Sequence, residues 1–523
     1  MQHSGNGYSS NQLGVAAESL AGQDVEVLVV GAGFSGVGAA IRLRQAGFED
    51  LLVLEKAGSP GGTWRDNTYP GCAVDVPSAL YSFSFAPNPG WTRIFVRQPE
   101  IHDYLRATVD RYAVAEKIRY DTTVVRAQWD EDVQRWMVHT TQGLFTASFL
   151  VMSCGPWHQP FIPDLPGLAD FPGPVMHTAR WDHDVEISGK RVAVVGTGAS
   201  AVQVIPEIQP RVAELHIFQR TPSWVLPRPD ASVPRLVRHL MKRVPALQRA
   251  ARFSQEWIQE GLGYALTHPS LLGPVQAMAR MHLRMSVRDA GLRAALTPGF
   301  TIGCKRLLTS GTYFKAVAKP NARFHPCAVR EVKGQQLIGA DGVAADVDVV
   351  ILATGFHQAS FPVGALVHDA KGTSLEALWE GTPRAYLGST VSGLPNLFLL
   401  LGPNLLTGHS SSLSVLERQF GYLADALVQA RDNGWSSFEV RRAVQESYNS
   451  RLQAALASTV YNAGGCASTY LTARGHNSFC WPWSTARLTR EMRRFNAGDY
   501  LVTTQPAEPF QDGQQEEGIA VLD

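Results

Sequence analysis

The pattern of apolar and polar residues predicts an α/β protein that contains the same small unit twice. Residues 25–30 form an almost unbroken apolar run, which is typical of a parallel strand buried on both faces. A glycine-rich turn at 31–36 follows directly, then a helical pattern that closes at Gly47, and then a second strand at 51–54. This order is a complete strand–helix–strand unit.

The unit recurs in the middle of the chain. A strand at 191–195 leads into a tight turn at 196–201, a helix and a further strand at 214–218. Two later strands, at 347–352 and 397–401, also run into glycine-containing turns, and such strand ends place ligands at the carboxyl edge of a sheet. The segment from about 222 to 320 lacks strand periodicity and contains basic amphipathic stretches, so it is predicted to be a helical insertion.

The first glycine turn has the spacing of a dinucleotide-binding loop. Gly31, Gly33 and Gly36 fit G-x-G-x-x-G between a strand and a helix, where they permit a tight turn, the approach of a pyrophosphate and close helix packing. Glu55 lies 19 residues after Gly36, at the end of the next strand, where a carboxylate can accept hydrogen bonds from ribose hydroxyls. Because a carboxylate repels a 2′-phosphate, this site is predicted to bind FAD or NAD.

The second turn has a different residue at the corresponding strand end. Gly196, Gly198 and Ala201 fit G-x-G-x-x-A, and Arg220 lies 19 residues after Ala201. A cation there favours a 2′-phosphate and hence NADP, although arginine is also common as a solvated residue at a strand end. Two nucleotide sites in one chain are naturally explained by a flavin and a nicotinamide that exchange a hydride.

Composition adds several exclusions. The chain of 523 residues carries 47 Lys and Arg against 46 Asp and Glu, and this balance gives no reason to expect nucleic acid or an anionic membrane as a partner. The six cysteines show no paired spacing, which predicts reduced thiols, no metal site and a cytoplasmic protein. The chain contains no run of 18 apolar residues, so no membrane span is predicted, and the polar N-terminus does not resemble a signal peptide.

A flavin with NADPH is compatible with several reactions. A disulfide reductase would need paired cysteines near the first unit, and Cys72 stands alone there. A reductase for an electron carrier, an oxidase and a monooxygenase remain open on these grounds.

Two further segments are much more specific than the glycine turns. Residues 61–75 match G-G-x-W-x-x-x-x-[F/Y]-P-[G/M]-x-x-x-D, and residues 171–182 match F-x-G-x-x-x-H-x-x-x-W-[P/D], each at every fixed position. In these motifs and in the order of its elements, the chain resembles the type I Baeyer–Villiger monooxygenases over roughly residues 24 to 500. Related heteroatom-oxidising flavin monooxygenases usually carry Tyr or Phe where Trp181 stands.

The resemblance implies roles for individual residues. Gly62, Thr63 and Trp64 would lie against FAD, and the 2′-phosphate of NADPH would be bound by Lys305 together with Arg220 and Thr221. Arg306 would lie over the flavin and Asp75 near the flavin's reactive edge. We take both as catalytic residues, with the hypothesis that Asp75 orients Arg306 by a charge-assisted hydrogen bond. The turn containing Gly196, Gly198, Ser200 and Ala201 would hold NADP, and Trp481 would border the nicotinamide or substrate. His177 and Trp181 are interpreted as structural residues of a linker between the nucleotide domains.

The predicted fold is therefore two Rossmann-like domains with a helical insertion. The FAD domain is expected at 24–158 and 388–505, the NADP domain at 159–224 and 325–387, the insertion at 225–324, and flexible tails at 1–23 and 506–523. The predicted function is conversion of ketones to esters or lactones with O2 by way of a flavin C4a-peroxide. Alternatives are the oxidation of sulfur or nitrogen atoms, or a flavin- and NADPH-binding protein that performs no oxygenation.

Overall fold

A computed structural model of the protein describes residues 22–357, 361–468, 470–472 and 474–504. Most of the predicted tails therefore lie outside the described residues, but the first strand begins at Gln23, one residue inside the predicted N-terminal tail. In the described ranges the strands are β1 (Gln23–Val30), β2 (Leu51–Leu54), β3 (Ile118–Arg119), β4 (Val124–Asp130), β5 (Arg135–Thr140), β6 (Gly143–Met152), β7 (Val175–His177), β8 (Arg191–Val195), β9 (Glu214–Phe218), β10 (Val225–Leu226), β11 (Leu308–Thr309), β12 (Ala322–His325), β13 (Val329–Lys333), β14 (Gln336–Gly339), β15 (Ala344–Asp346), β16 (Val349–Leu352), β17 (Val367–His368), β18 (Leu397–Leu399), β19 (Ser437–Val440) and β20 (Tyr500–Thr503).

The helices fall on both sides of the sheets and in one contiguous insertion. Over the same ranges they are α1 (Phe34–Gln45), α2 (Thr63–Asp66), α3 (Gln98–Arg111), α4 (Ala199–Ile208), α5 (Arg235–Arg243), α6 (Pro245–Thr267), α7 (Gly273–Ser286), α8 (Ala290–Ala295), α9 (Tyr313–Val317), α10 (Leu375–Trp379), α11 (Ser412–Asp432), α12 (Arg442–Ala457), α13 (Val460–Ala463) and α14 (Thr485–Glu491). Short 3₁₀ turns include Ser78–Leu80 and Thr178–Arg180.

The first sheet is built around β1, which is parallel to β2 on one side and to β6 on the other. Its strand order is β17-β4-β5-β6-β1-β2-β3, and β18 also pairs with β6. Five of the eight residues of β1 are buried, which explains the near-continuous apolar run in the sequence. Helices α1 and α11 pack against each other beside this sheet.

The second sheet has the order β12-β9-β8-β16-β7, and all its strands are parallel. A small antiparallel sheet of β13, β14 and β15 accompanies it. The predicted α/β fold with two Rossmann-like units is confirmed, and α5 to α8 form the predicted helical insertion.

One predicted domain boundary comes too late in the chain. Residues 361–387 were assigned to the NADP domain, but β17 extends the first sheet by pairing with β4. Phe361, Leu375 and Trp379 are buried in the same apolar cluster as Leu28 of β1. Phe361 and β17 therefore pack with the first sheet and not with the NADP sheet. The sequence did not reveal this pairing because a two-residue strand is too short to show an alternating pattern.

No helix within the described ranges is both long enough and apolar enough to cross a membrane.

Candidate active site

A cavity beside the first glycine turn has a volume of about 460 Å³ and opens at the carboxyl ends of β1 and β2. Its wall includes the turn itself, the end of β2, the G-G-T-W segment and the start of α11, with the contributing residues Gly31, Gly33, Glu55, Gly62, Thr63, Trp64, Arg65, Tyr81, Ser412 and Leu413. The structure thus brings together most of the residues that the sequence assigns to the flavin, while Gly36 and Asp75 do not line this cavity.

The three glycines of this turn differ in their backbone conformation and in the space that a side chain would find. Gly31 has φ +105°, a conformation that L-residues rarely adopt. A Cβ on Gly36 would overlap the carbonyl oxygen of Gly31, so this glycine is required for packing. A Cβ on Gly33 would approach only the Cα of Gly62, at 3.8 Å, so the protein itself leaves room there. The space beside Gly33 is therefore free for the predicted pyrophosphate.

The start of α1 fits a pyrophosphate. Its N-cap is Gly33, and no side chain caps the helix, whereas Ser411 caps the next long helix of this domain by accepting from Leu413. The first amide groups of α1 are thus left as donors at the positive end of the helix dipole, beside the cavity.

Glu55 makes several hydrogen bonds and an ion pair within the protein, which the sequence did not indicate. Its carboxylate accepts hydrogen bonds from the amide of Ala32 at 2.8 Å and of Ala57 at 3.0 Å, and it pairs with Arg65 at 3.1 Å. Arg65 pairs in turn with Asp66 at 2.7 Å. No cofactor role was expected for Arg65 from the sequence, but the structure places it in the wall of the flavin cavity. Its signal was the position three residues after Gly62.

The second glycine turn repeats the geometry of the first. Gly196 has φ +102°, and a Cβ there would lie 2.5 Å from the carbonyl oxygen of Ala353. A Cβ on Gly198 would meet no atom within 4 Å, and no side chain caps α4, which begins next to it. Ala201 is fully buried under the turn. This turn therefore also offers an open glycine and free helix amides to a pyrophosphate.

The cations assigned to the 2′-phosphate come from two distant parts of the chain. Arg220 and Thr221 follow β9, and Lys305 lies in the loop between α8 and β11. Burial, and then the nearby charge of Arg220, lower the pKa of Lys305 below its ordinary value. The two cations thus lie close enough to repel each other, which favours an anion between them.

Arg306 and Asp75, which 231 residues separate in the sequence, form an ion pair. The Asp75 carboxylate accepts from Nε of Arg306 at 2.9 Å and from Nη2 at 2.7 Å. The negative charge of Asp75 raises the pKa of Arg306, which keeps the guanidinium cationic. Both charges act on Tyr81, whose ring borders the flavin cavity and whose hydroxyl accepts from Trp64 at 2.8 Å. The predicted hydrogen bond between Asp75 and Arg306 is therefore present, beside the flavin cavity.

The comparisons with known proteins agree with this geometry. Residues 28–256 match a family described as pyridine nucleotide-disulphide oxidoreductase. A "Baeyer-Villiger monooxygenase" of Streptomyces coelicolor is 45% identical over 92% of this chain and 93% of its own length. A "Baeyer-Villiger monooxygenase" of Pseudomonas aeruginosa is 42% identical over 95% of this chain and 96% of its own. The chain belongs to the Baeyer–Villiger monooxygenases.

Solved structures give the same result for the fold. The cyclohexanone monooxygenase of Rhodococcus sp. Phi1 bound to NADP+ has a TM-score of 0.82 and 25% identity, and the match covers 92% of this chain and all of that one. An oxidized steroid monooxygenase bound to NADP also has a TM-score of 0.82, with 27% identity over 92% of this chain and 99% of its own. The protein is an FAD- and NADPH-dependent flavin monooxygenase.

The first signature of this monooxygenase joins the two nucleotide domains. Tyr69 donates a hydrogen bond to Gln203 of α4 at 2.9 Å. Gly71 has φ +83°, and a Cβ there would lie 2.6 Å from the carbonyl oxygen of Gln203. Ser200 adds a contact to the Tyr69 hydroxyl. The Y-P-G part of the motif is thus a contact surface for α4, a role that the sequence did not reveal because Gln203 is 134 residues from Tyr69.

The second signature of the monooxygenase forms the edge of the NADP sheet. β7 pairs with β16, and a Cβ on Gly173 would overlap the carbonyl oxygen of Asp348. The Nδ1 atom of His177 accepts from the amide of Ala179 at 3.0 Å, and burial lowers the pKa of His177 to about 4. Neutral His177 therefore caps a turn, in keeping with the predicted structural role.

Trp481, which is expected to border the nicotinamide or substrate, is almost completely buried. Its side chain is 1% exposed and donates to the carbonyl oxygen of Ser484 at 3.2 Å, with Trp483 packed edge-on at 4.9 Å. It does not line the cavity at the first glycine turn. Its contact with the nicotinamide or substrate stays a prediction.

The expectation of reduced, unpaired cysteines is corrected at one pair. Cys304 and Cys466 form a disulfide across a sequence separation of 162 residues. A Cβ on Gly464 would lie 2.5 Å from the Cβ of Cys304, so this close approach requires glycine. Spacing rules did not detect the pair because its members come from two remote loops. The bond ties the loop that carries Lys305 and Arg306 to the C-terminal region.

Replacement of Arg220 by alanine is expected to raise the Michaelis constant for NADPH about 5- to 150-fold, because a charge-assisted contact of roughly 1–3 kcal/mol is lost. The constant for NADH should stay nearly unchanged, since NADH lacks the 2′-phosphate. Steady-state kinetics with both cofactors measures this difference. Arg211→Ala, another exposed arginine of the same domain, serves as the control. An equal loss with both cofactors would refute the assignment of Arg220.

The lowered pKa of Lys305 predicts a pH dependence. Its ammonium attracts the 2′-phosphate while protonated, and it loses the proton at a lower pH than the ordinary value of 10.5. We therefore expect kcat/KM for NADPH to be high at neutral pH and to fall as the pH rises through this lowered pKa. The profile for NADH should lack this fall, and Lys305→Arg should move it to higher pH. Identical profiles for the two cofactors would contradict the role.

Proposed function

We propose that the protein inserts one oxygen atom of O2 beside the carbonyl of a ketone and releases an ester or lactone. The observation that carries this proposal is the Arg306–Asp75 pair beside the flavin cavity, at distances of 2.7 and 2.9 Å. A fixed cation at this place is suited to oxygen chemistry in which negative charge develops on the reacting oxygen atoms. When bound, reduced FAD supplies the electrons that activate O2.

Arg306 would hold this negative charge through the whole working pH range. Its raised pKa keeps it protonated, and Asp75 fixes its orientation before the reaction begins. Nε and Nη2 both bind Asp75, while Nη1 makes no hydrogen bond to a described residue and remains a donor for ligands. A preorganised donor of this kind does not have to reorient during the reaction.

Aromatic side chains would exclude water from the same region. The rings of Trp64 and Tyr81 lie edge-to-face at 5.4 Å, and Phe34 packs on Tyr81 at 5.6 Å. Because these rings line the flavin cavity, they lower the local dielectric constant and strengthen the interaction of Arg306 with a developing charge.

Lys305, Arg220 and Thr221 would position NADPH for hydride transfer, and the contact of Tyr69 with Gln203 would hold α4 next to the flavin site. The protein's own contribution to the first half-reaction is thus orientation across the domain interface.

The substrate class is proposed from the related structures. The names of two of them refer to cyclohexanone and steroid oxidation, so apolar cyclic ketones are the first candidates. A panel of linear, cyclic, aromatic and steroid ketones tests this, with NADPH consumption and products followed together. We expect the pure protein to be yellow, and a cyclic ketone to accelerate NADPH consumption with an equal amount of ester. A rate of NADPH consumption that no ketone changes would indicate an oxidase. Sulfoxide formation without esters would indicate a heteroatom oxygenase.

A further inference from the structure

The helical insertion has a strong positive net charge, although the net charge of the whole chain is close to zero. Residues 235–293 contain ten Lys or Arg and three Asp or Glu, a formal net charge of +7, although the complete chain has +1. Six of these cations, on α5, on α6 and around α7, are exposed and form no salt bridge with any described residue: Arg235, Lys242, Arg243, Arg249, Arg284 and Arg288. The balanced composition therefore hides a strongly basic module.

The long helix α6 is turned with its apolar side to solvent. Phe253, Trp257 and Ile258 are 61%, 65% and 64% exposed, and Leu247 and Tyr264 are exposed on the same helix. The spacing of these residues corresponds to one helical face. In a helix of a soluble monomer, this face would normally point into the core.

Specific polar contacts fix this orientation. On the opposite side of α6, Arg252 donates to the carbonyl oxygen of Ser82 at 2.7 Å and pairs with Glu417 at 3.3 Å. About two and three turns further on, Glu260 accepts from the amide of Thr485, and Gly263 approaches His409 so closely that a Cβ would lie 2.6 Å from the imidazole. The helix cannot rotate its apolar face inward without losing these contacts.

The neighbouring helices extend the same surface. α5 has no buried residue, and its Leu236 and Leu240 are exposed between basic side chains. On α7, Met278, Met281 and Met285 are exposed. We define the docking surface as the exposed apolar residues of α5, α6 and α7 with the six unpaired cations.

We propose that this docking surface binds the anionic surface of a lipid bilayer, with the apolar tips of α6 entering the headgroup region. Helices that lie in the plane of a membrane interface combine exposed Trp, Phe, Leu and Ile with neighbouring Lys and Arg. Anionic headgroups would neutralise the six unpaired cations. A second copy of the chain fits less well, because a two-fold contact of this face would place one charge of +7 against another.

This surface would hold the enzyme beside the phase in which apolar ketones dissolve. It is a peripheral contact that is independent of the proposed reaction, so either proposal can fail without the other. It also differs from a membrane span, for which no described helix is suitable.

Co-sedimentation of the full-length, FAD-loaded enzyme with vesicles tests the proposal. The two vesicle types are pure phosphatidylcholine, and phosphatidylcholine with about 30 mol% phosphatidylglycerol as the anionic component. We expect binding to the anionic vesicles only, and its loss in about 1 M NaCl, where the Debye length is about 3 Å.

Two variant sets separate the apolar and the charged contributions. Phe253→Ser with Trp257→Ser should weaken binding at least about tenfold, since two interfacial aromatic side chains are removed. Arg235→Gln with Lys242→Gln and Arg243→Gln should also weaken it. The matched controls are Ile162→Ser with Leu501→Ser, and Lys315→Gln with Lys319→Gln and Lys371→Gln; all five residues are exposed elsewhere on the surface. NADPH oxidation without vesicles should be unchanged in every variant, which shows that each is folded.

Three results would overturn the proposal. The folded enzyme could stay in the supernatant with both vesicle types, or the docking-surface variants could bind as well as their controls. The enzyme could also form dimers that Phe253→Ser with Trp257→Ser dissociates, which would show that a second copy covers this surface.

Discussion

Arg306→Ala is expected to lower ester formation about 10²- to 10³-fold, the usual cost of removing one preorganised donor at a developing negative charge. FAD retention and the reduction of FAD by NADPH should persist, because Arg306 belongs to neither glycine turn. Stopped-flow spectroscopy of the flavin measures reduction, and product analysis measures ester formation. The ratio of the two rates is the quantity that should change.

Conservative variants sharpen this test. Arg306→Lys should restore little, since an ammonium cannot reproduce two hydrogen bonds to one carboxylate oxygen and still present a third nitrogen to a ligand. Asp75→Ala should impair the same step less severely, because it removes only the orienting partner. Lys305→Ala, at the adjacent residue, is the matched control and should affect NADPH binding instead. If Arg306→Ala blocks flavin reduction alone and still forms ester after chemical reduction, the proposed role is wrong.

Gly33→Val is expected to give a folded protein without FAD and hence without any activity. The nearest non-neighbouring atom to a Cβ at this position is 3.8 Å away, so the fold has space for a side chain, but a pyrophosphate at the start of α1 does not. The flavin absorbance of the purified protein, together with its circular dichroism and thermal unfolding, measures this outcome.

Gly198→Val is the matched variant at the second turn. A Cβ there also meets no protein atom within 4 Å, so the variant should fold, remain yellow and fail to oxidise NADPH. Together the two variants assign one nucleotide to each turn. A folded and fully yellow Gly33→Val protein would show that the first turn is not the flavin site.

The parts of the molecule that could be predicted from the sequence are those whose structure is determined by residues close together along the chain. The two strand–turn–helix units were visible because Gly31 and Gly196 are followed by their own helices, and because each strand is buried on both faces. The Arg306–Asp75 contact was expected only from the family motif, since 231 residues separate its members.

The remaining features depend on contacts between distant segments. The sequence around Gly71 does not indicate that α4 packs closely against this residue. The sequence around Cys304 does not indicate that it forms a disulfide with Cys466. The sequence around Trp481 likewise gives no sign that its side chain is almost completely buried. The outward apolar face of α6 was likewise hidden, since periodicity defines a face but not its direction.

The central claim is that one atom of O2 is inserted into a ketone at this site. The most direct measurement is turnover of a cyclic ketone with NADPH under ¹⁸O₂, followed by mass spectrometry of the product. We expect a lactone that carries one ¹⁸O atom, formed in equal amount to the NADPH that the ketone causes to be consumed, and lost in Arg306→Ala. Unchanged ketone with hydrogen peroxide as the product of NADPH oxidation would contradict it.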